Sequence, residues 1–120
     1  MIDEQGAIKL IRFLLEVKNR PQLFLSRKSI TELRAIQTGF VAGYNGAQER
    51  SLTEYHDAIK GGNIWMRFVD YLFDKYSSHI KSNYCHQLLC VCGSEESAFD
   101  LFFEELENYL QVNNIEIRKC

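Results

Sequence analysis

Residues 20–46 read RPQLFLSRKSITELRAIQTGFVAGYNG, and this stretch decides the fold. Pro21, the only proline of the chain, ends a preceding helix because the residue before a proline is pushed out of helical dihedrals. Further along, Ser29 and Glu32 match a capping box, in which each side chain bonds a free backbone amide of the other residue. The stretch therefore predicts one helix that ends before Pro21 and a second that begins at Ser29.

The second predicted helix has an apolar face and a face of small residues. The apolar face consists of Ile30, Leu33, Ile36, Phe40, Val41 and Tyr44. The small face consists of Ala35, Gly39, Ala42 and Gly43. Each glycine costs about 1 kcal/mol relative to alanine inside a helix. We therefore expect either that another backbone packs closely against the small face or that the helix ends early, with Asn45-Gly46 as a left-handed stop. In front of this helix, Leu23-Phe24-Leu25 reads as a buried segment.

Apolar residues recur at helical spacing along the rest of the chain, which predicts an all-α fold. The further helices are predicted at residues 4–18, at residues 51–60, after Asn63, and from Ser94 to about Gln111. Residues 82–92 suit either a strand or a helix, and we favour a helix because no other segment offers a strand partner. Residues 111–120 read as a frayed tail or a short extended segment. The prediction is a compact single-domain bundle of about five or six helices over residues 1–120.

The composition indicates one folded domain. A length of 120 residues with 46% apolar residues suffices to bury a core without metal or disulfide staples. The net charge of −2 argues against a general nucleic-acid binder. No signal peptide and no run of about 18 apolar residues is visible, so we expect a cytoplasmic protein without a membrane span. In that compartment the four cysteines are expected to be free thiols.

The residue types that most often carry catalysis or bind metals form no recognised motif. One cluster comprises Cys85, His86, Cys90 and Cys92. Its spacing is not that of a zinc site, and the chain contains no glycine-rich phosphate loop. We therefore predict no enzyme, no cofactor and no metal. A catalytic carboxylate pair and a hydrolase that uses Cys85 and His86 stay open as alternatives, although the helical carboxylates read as exposed groups with ordinary pKa values.

The distribution of charge is the strongest binding signal. Residues 82–117 contain seven Asp or Glu and no Lys or Arg. Four of these acids, spaced by four, four and three residues, fall on one side of the last predicted helix: Glu96, Asp100, Glu104 and Glu107. Adjacent like charges cost a helix about 0.2 to 0.5 kcal/mol per pair. The pattern indicates either an ordinary solvated surface or a surface that binds a basic partner. Asp70 and Asp74 extend this surface if their helix is a neighbour.

The aromatic residues divide into core residues and candidate anchors. Those expected in the core are Trp65, Phe68, Phe73, Phe99, Phe102 and Phe103. Those nearer the helix edges are Tyr44, Tyr55, Tyr71 and Tyr109. Tyrosine is enriched at binding hot spots, so the second group can supply interface anchors.

Two parts of the chain together resemble a known family. The first is the succession of Arg20-Pro21, Leu23-Phe24-Leu25, Ser29-Ile30, Leu33 and Gly43-Tyr44. The second is a helix with tryptophan and phenylalanine, then the Gly93-Ser94 turn, then an acidic, Phe-Phe-rich last helix. From Ile8 to about Leu110 the chain resembles small bacterial immunity proteins, which accompany polymorphic toxins and contact-dependent growth inhibition toxins.

The resemblance implies a small helical cytosolic protein without enzymatic activity, in which Pro21, Leu25 and Tyr44 are framework residues. It also implies a partner, the cognate secreted toxin's C-terminal domain. Such toxins are frequently nucleases, whose basic surfaces hold phosphate backbones, so the six carboxylates named above would bind the toxin domain and occlude it. The main alternative is a helical adaptor or regulatory domain without a toxin partner. No direct nucleic-acid contact is implied, and the oligomeric state stays open.

Overall fold

Six α-helices make up the structure, a computed structural model that describes residues 2–47, 62–76 and 83–117. They are α1 (Glu4–Asn19), α2 (Pro21–Phe24), α3 (Ile30–Ala47), α4 (Ile64–Lys75), α5 (Tyr84–Cys92) and α6 (Glu95–Val112). The described ranges contain no strand, and the molecule measures 38 × 34 × 27 Å. The predicted all-α bundle of five or six helices is therefore confirmed. The helix predicted at residues 51–60 lies outside the described residues.

Besides α3, whose cap by Ser29 is described below, four helices begin at a polar side chain that accepts a hydrogen bond from a backbone amide of the first turn. These caps are Asp3 of α1, Asn63 of α4, Asn83 of α5 and Ser94 of α6, with donor–acceptor distances of 2.8, 2.9, 2.8 and 3.1 Å. Each cap satisfies an amide that has no partner within its own helix. The predicted starts at Asn63 and Ser94 are confirmed.

Helix α5 resolves the ambiguous segment. Asn83 caps its start, and Gly93 ends it with a φ of 79°, a left-handed conformation that glycine adopts without strain. Between them, the buried residues Tyr84, Cys85 and Leu88 lie on one side of the helix. A strand would need a partner for its backbone groups, and the described ranges offer none. The helix prediction is confirmed and the strand alternative is wrong.

Helix α2 corrects the expectation of a buried Leu-Phe-Leu segment. Pro21 occupies the first turn of this short helix, and α1 ends at Asn19 as predicted. Leu25 is buried, whereas Leu23 is 65% and Phe24 is 41% exposed. Leu23 and Phe24 lie in the helix, where successive side chains point about 100° apart, and Leu25 follows it in extended backbone, so the three side chains do not face the same neighbour.

Helix α3 differs from the sequence prediction in two respects, its C-terminal end and the packing of its small face. It runs through Gly46 to Ala47, so Asn45-Gly46 is not its stop. A methyl group added at Gly39 or Gly43 would meet no described atom within 4 Å, and both residues are exposed. The expected close backbone contact at the small face is therefore absent from the described residues. The helix packs through its apolar face instead, because that is where its large side chains lie.

The aromatic core fixes α4 against α6. Phe68 of α4 and Phe102 of α6 are fully buried, with ring centroids 5.6 Å apart in an edge-to-face arrangement. Trp65 and Tyr84 contact the same Phe102 ring, at 6.2 and 5.3 Å. Burial of each large side chain contributes about 1.5 to 3 kcal/mol. All the aromatic residues predicted in the core are buried except Phe73, which is half-buried. The buried faces of α4 and α6 therefore pack directly against each other.

Candidate protein-binding surfaces

The structure brings together the four carboxylates predicted on the last helix. They are Glu96, Asp100, Glu104 and Glu107, and all four are exposed on one side of α6. We call this set the acidic stripe. The helix that carries the acidic stripe is held in place from its other side, where Ala98, Phe102 and Leu106 are buried. The acidic stripe is therefore a surface of fixed shape that a partner can reach.

Two lysines from other elements partly neutralise the acidic stripe. Lys18 of α1 forms an ion pair with Glu107, and Lys28 approaches Asp100 with an N···O distance of 3.5 Å. Four carboxylates against two ammonium groups leave two negative charges. The side chains of both pairs are 39% to 56% exposed, and exposed pairs contribute only about 0 to 1 kcal/mol. A lysine or arginine of a partner could replace either lysine at small cost.

The remaining carboxylates of the acidic stripe, Glu96 and Glu104, form no ion pair with the residues that the structure describes. Glu104 borders a cleft of about 280 Å³ that runs beside the two lysines and is floored by Phe99 and Phe103. Both rings are buried, so the cleft offers a partner the negative charge of Glu104 rather than apolar ring surface. That charge suits a basic partner.

Asp70 and Asp74 do not extend the acidic stripe. Both lie on the exposed face of α4 and line a different groove, opposite Tyr109 of α6. Tyr109 follows Glu107 by two residues, which is about 200° around the helix. The structure therefore separates the six predicted site residues into two groups on opposite sides of α6.

The groove beside Asp70 and Asp74 has an aromatic wall. The rings of Tyr71 and Tyr109 contact each other with centroids 5.1 Å apart and planes inclined by 53°. The groove encloses about 650 Å³ and is open to solvent. We call it the tyrosine groove; its lining residues are Arg67, Asp70, Tyr71, Asp74, Lys75 and Tyr109. Two of the four tyrosines predicted as anchors thus come together, while Tyr55 lies outside the described residues.

One carboxylate of α6 is buried, which sequence reasoning missed. Glu105 is 4% exposed and accepts hydrogen bonds from Lys75 Nζ at 3.0 Å and from the Tyr76 hydroxyl at 2.9 Å. The hydrogen bond to Glu105 raises the pKa of Lys75, and burial together with the bond to Glu105 raises the pKa of Tyr76 to about 12. The expectation that the helical carboxylates are exposed is wrong here. A signal existed, because Glu105 lies three residues after Phe102 and four before Tyr109, on the apolar side of the helix.

A second carboxylate of α6, Glu95, caps another helix. Its oxygens accept hydrogen bonds from Ser29 Oγ at 2.7 Å, from the Thr31 amide at 2.9 Å and from Thr31 Oγ1 at 2.7 Å. These bonds, led by that of the Thr31 amide, lower the pKa of Glu95. The predicted capping box is half right. The Glu32 amide does bond Ser29 Oγ at 3.2 Å, but the Glu32 carboxylate turns back to Ser26.

The cysteine and histidine cluster shows no sign of activation. Cys85, Cys90 and Cys92 are free thiols, and His86 is exposed. Burial raises the pKa of the Cys85 and Cys92 thiols, which is the opposite of what a nucleophilic thiolate needs. The described ranges contain no group of three His, Cys, Asp or Glu side chains arranged to hold a metal ion.

A pocket of about 280 Å³ between α3 and α4 is largely apolar. Its walls include Ile2, Val41, Trp65 and Val69, and Asp70 stands at its rim. Among the residues that the structure describes, neither a cysteine nor a histidine lines it. The pocket therefore does not unite the groups that the hydrolase alternative requires.

A row of aromatic rings lies on another side of the molecule. The Phe24 ring contacts Phe13 edge to face with centroids 5.4 Å apart, Phe13 stacks on Phe40 at 5.6 Å, and Phe40 stacks on Tyr44 at 6.4 Å. We call these four rings the aromatic row. Phe13, Phe40 and Tyr44 are half-buried against the core, whereas Phe24 at one end is exposed beside Leu23, so the row ends in an apolar surface where the sequence predicted a buried segment.

No protein-family model matches this chain, and the searches of curated proteins and of solved structures found no significant match either. None of the described helices combines the length and the apolar composition needed to cross a lipid bilayer. What the surfaces offer to a partner is consequently the evidence from which a function can be proposed.

Proposed function

We propose that this protein is an immunity protein, which binds and neutralises a cognate secreted toxin domain with a basic surface. The observation that carries the proposal is the acidic stripe, a set of exposed carboxylates on a helix whose opposite side is anchored in the core. The resemblance of residues 8–110 to immunity proteins supplies the biological setting, a cytoplasmic inhibitor without enzymatic activity. A nuclease is the toxin class that fits best, because its substrate site must attract phosphate.

The mechanism in this proposal is steric and electrostatic occlusion. The field of the acidic stripe steers a basic domain toward α6, which raises the association rate. At contact, Glu96 and Glu104 pair with lysines or arginines of the toxin. Because the ion pairs of Lys18 with Glu107 and of Lys28 with Asp100 are exposed, cations of the toxin can replace the two lysines in them. The bound helix then prevents substrate from reaching the toxin.

The test is to purify this chain with the C-terminal domain of the secreted toxin encoded beside its gene. We expect a stoichiometric complex in which the toxin is inactive. The diagnostic variant is Glu96→Lys/Glu104→Lys, which changes the two carboxylates of the acidic stripe without an internal ion pair among the described residues. We expect its association rate to fall by about 10-fold or more, with weaker salt dependence and little change in dissociation.

The matched control is Glu16→Lys/Glu116→Lys, which produces the same change in net charge away from the acidic stripe. We expect this control to associate nearly as fast as the wild type. Equal association rates for the two double variants would show that only net charge matters. An unchanged rate and salt dependence in Glu96→Lys/Glu104→Lys would make the acidic stripe ordinary solvated surface and end the proposal in its electrostatic form.

A helical adaptor without a toxin partner is the second candidate, and the aromatic row favours it. An adaptor that docks through the aromatic row would bind an apolar surface and would depend little on salt. Replacing Phe24, which is 41% exposed, by serine would then abolish binding. In an immunity complex formed through the acidic stripe, Phe24→Ser would leave the association rate unchanged.

A further inference from the structure

We draw no further inference here: the strongest candidate, the apolar surface patch that exposed Leu23 and Phe24 of α2 form at the end of the aromatic row, carries none because nothing in the structure shows what covers it.

Discussion

The carboxylates on the two sides of α6 behave differently although they belong to one helix. On the inner side, the buried Glu105 carboxylate accepts hydrogen bonds from Lys75 and Tyr76. The Glu95 carboxylate accepts hydrogen bonds from Ser29 and Thr31. On the outer side, the acidic stripe is exposed, and two exposed ion pairs join it to other described residues. The inner acids stabilise the fold, while the outer acids are available to a partner.

The difference shows that an acidic helix is not one functional unit. A buried carboxylate with two donors has fixed geometry, and its loss leaves its donors without their partner. An exposed carboxylate is hydrated in the free protein and can change partners. Substitutions on the two sides of α6 should therefore divide into those that lower stability and those that change only binding, and the following three predictions test that division.

The largest effect is expected at Glu105. Glu105→Ala removes the acceptor of Lys75 and Tyr76 and should lower the free energy of unfolding by about 2 to 3 kcal/mol, measured by urea denaturation. The control is Glu104→Ala, the neighbouring exposed residue with the same change in helix propensity, which should stay within about 0.5 kcal/mol of the wild type. Equal effects of the two substitutions would contradict the inner and outer division.

A smaller and pH-dependent effect is expected at Glu95. Because the folded state lowers the pKa of Glu95, its contribution is complete above the ordinary glutamate pKa of 4.5 and is lost as the pH falls through the lowered folded value. Glu95→Gln should therefore cost about 1 kcal/mol at neutral pH, in line with other helix caps, and less in acid.

The matched control for Glu95 is Glu96→Gln, which lies in the same first turn of α6 but on the acidic stripe. Denaturation curves at pH 7 and pH 3 should show that the gap between the two variants closes at the lower pH. A gap that stays constant or widens in acid would mean that the bonds to Ser29 and Thr31 do not stabilise the fold as described.

The smallest effect is expected at the pair of Lys28 and Asp100. A double-mutant cycle of Lys28→Met and Asp100→Asn should give a coupling energy below about 1 kcal/mol that decreases with salt, because both side chains are exposed. A larger coupling that persists in salt would place Asp100 with the inner carboxylates, and Asp100 would then be unsuited to meet a partner.

Local sequence rules predicted most helix starts, although not the short helix that begins at Pro21. Asn63 and Ser94 cap helices as expected, and Pro21 ends α1, because each of these effects acts within one turn of chain. The same rules failed at Leu23 and Phe24, which are exposed, and at the small face of α3, where no described atom packs. Exposure and close approach depend on neighbours that are distant in sequence.

By itself, the sequence determined the all-α class, most helix limits and the position of the acidic stripe on one side of α6, since helical periodicity sets all three. Only the tertiary structure decided which carboxylates form hydrogen bonds or ion pairs with residues that are distant in sequence. The pairs Glu105 with Lys75, Glu95 with Ser29 and Asp100 with Lys28 join residues 30, 66 and 72 positions apart. No local pattern encodes such contacts, because they arise from how whole helices pack around the shared aromatic core.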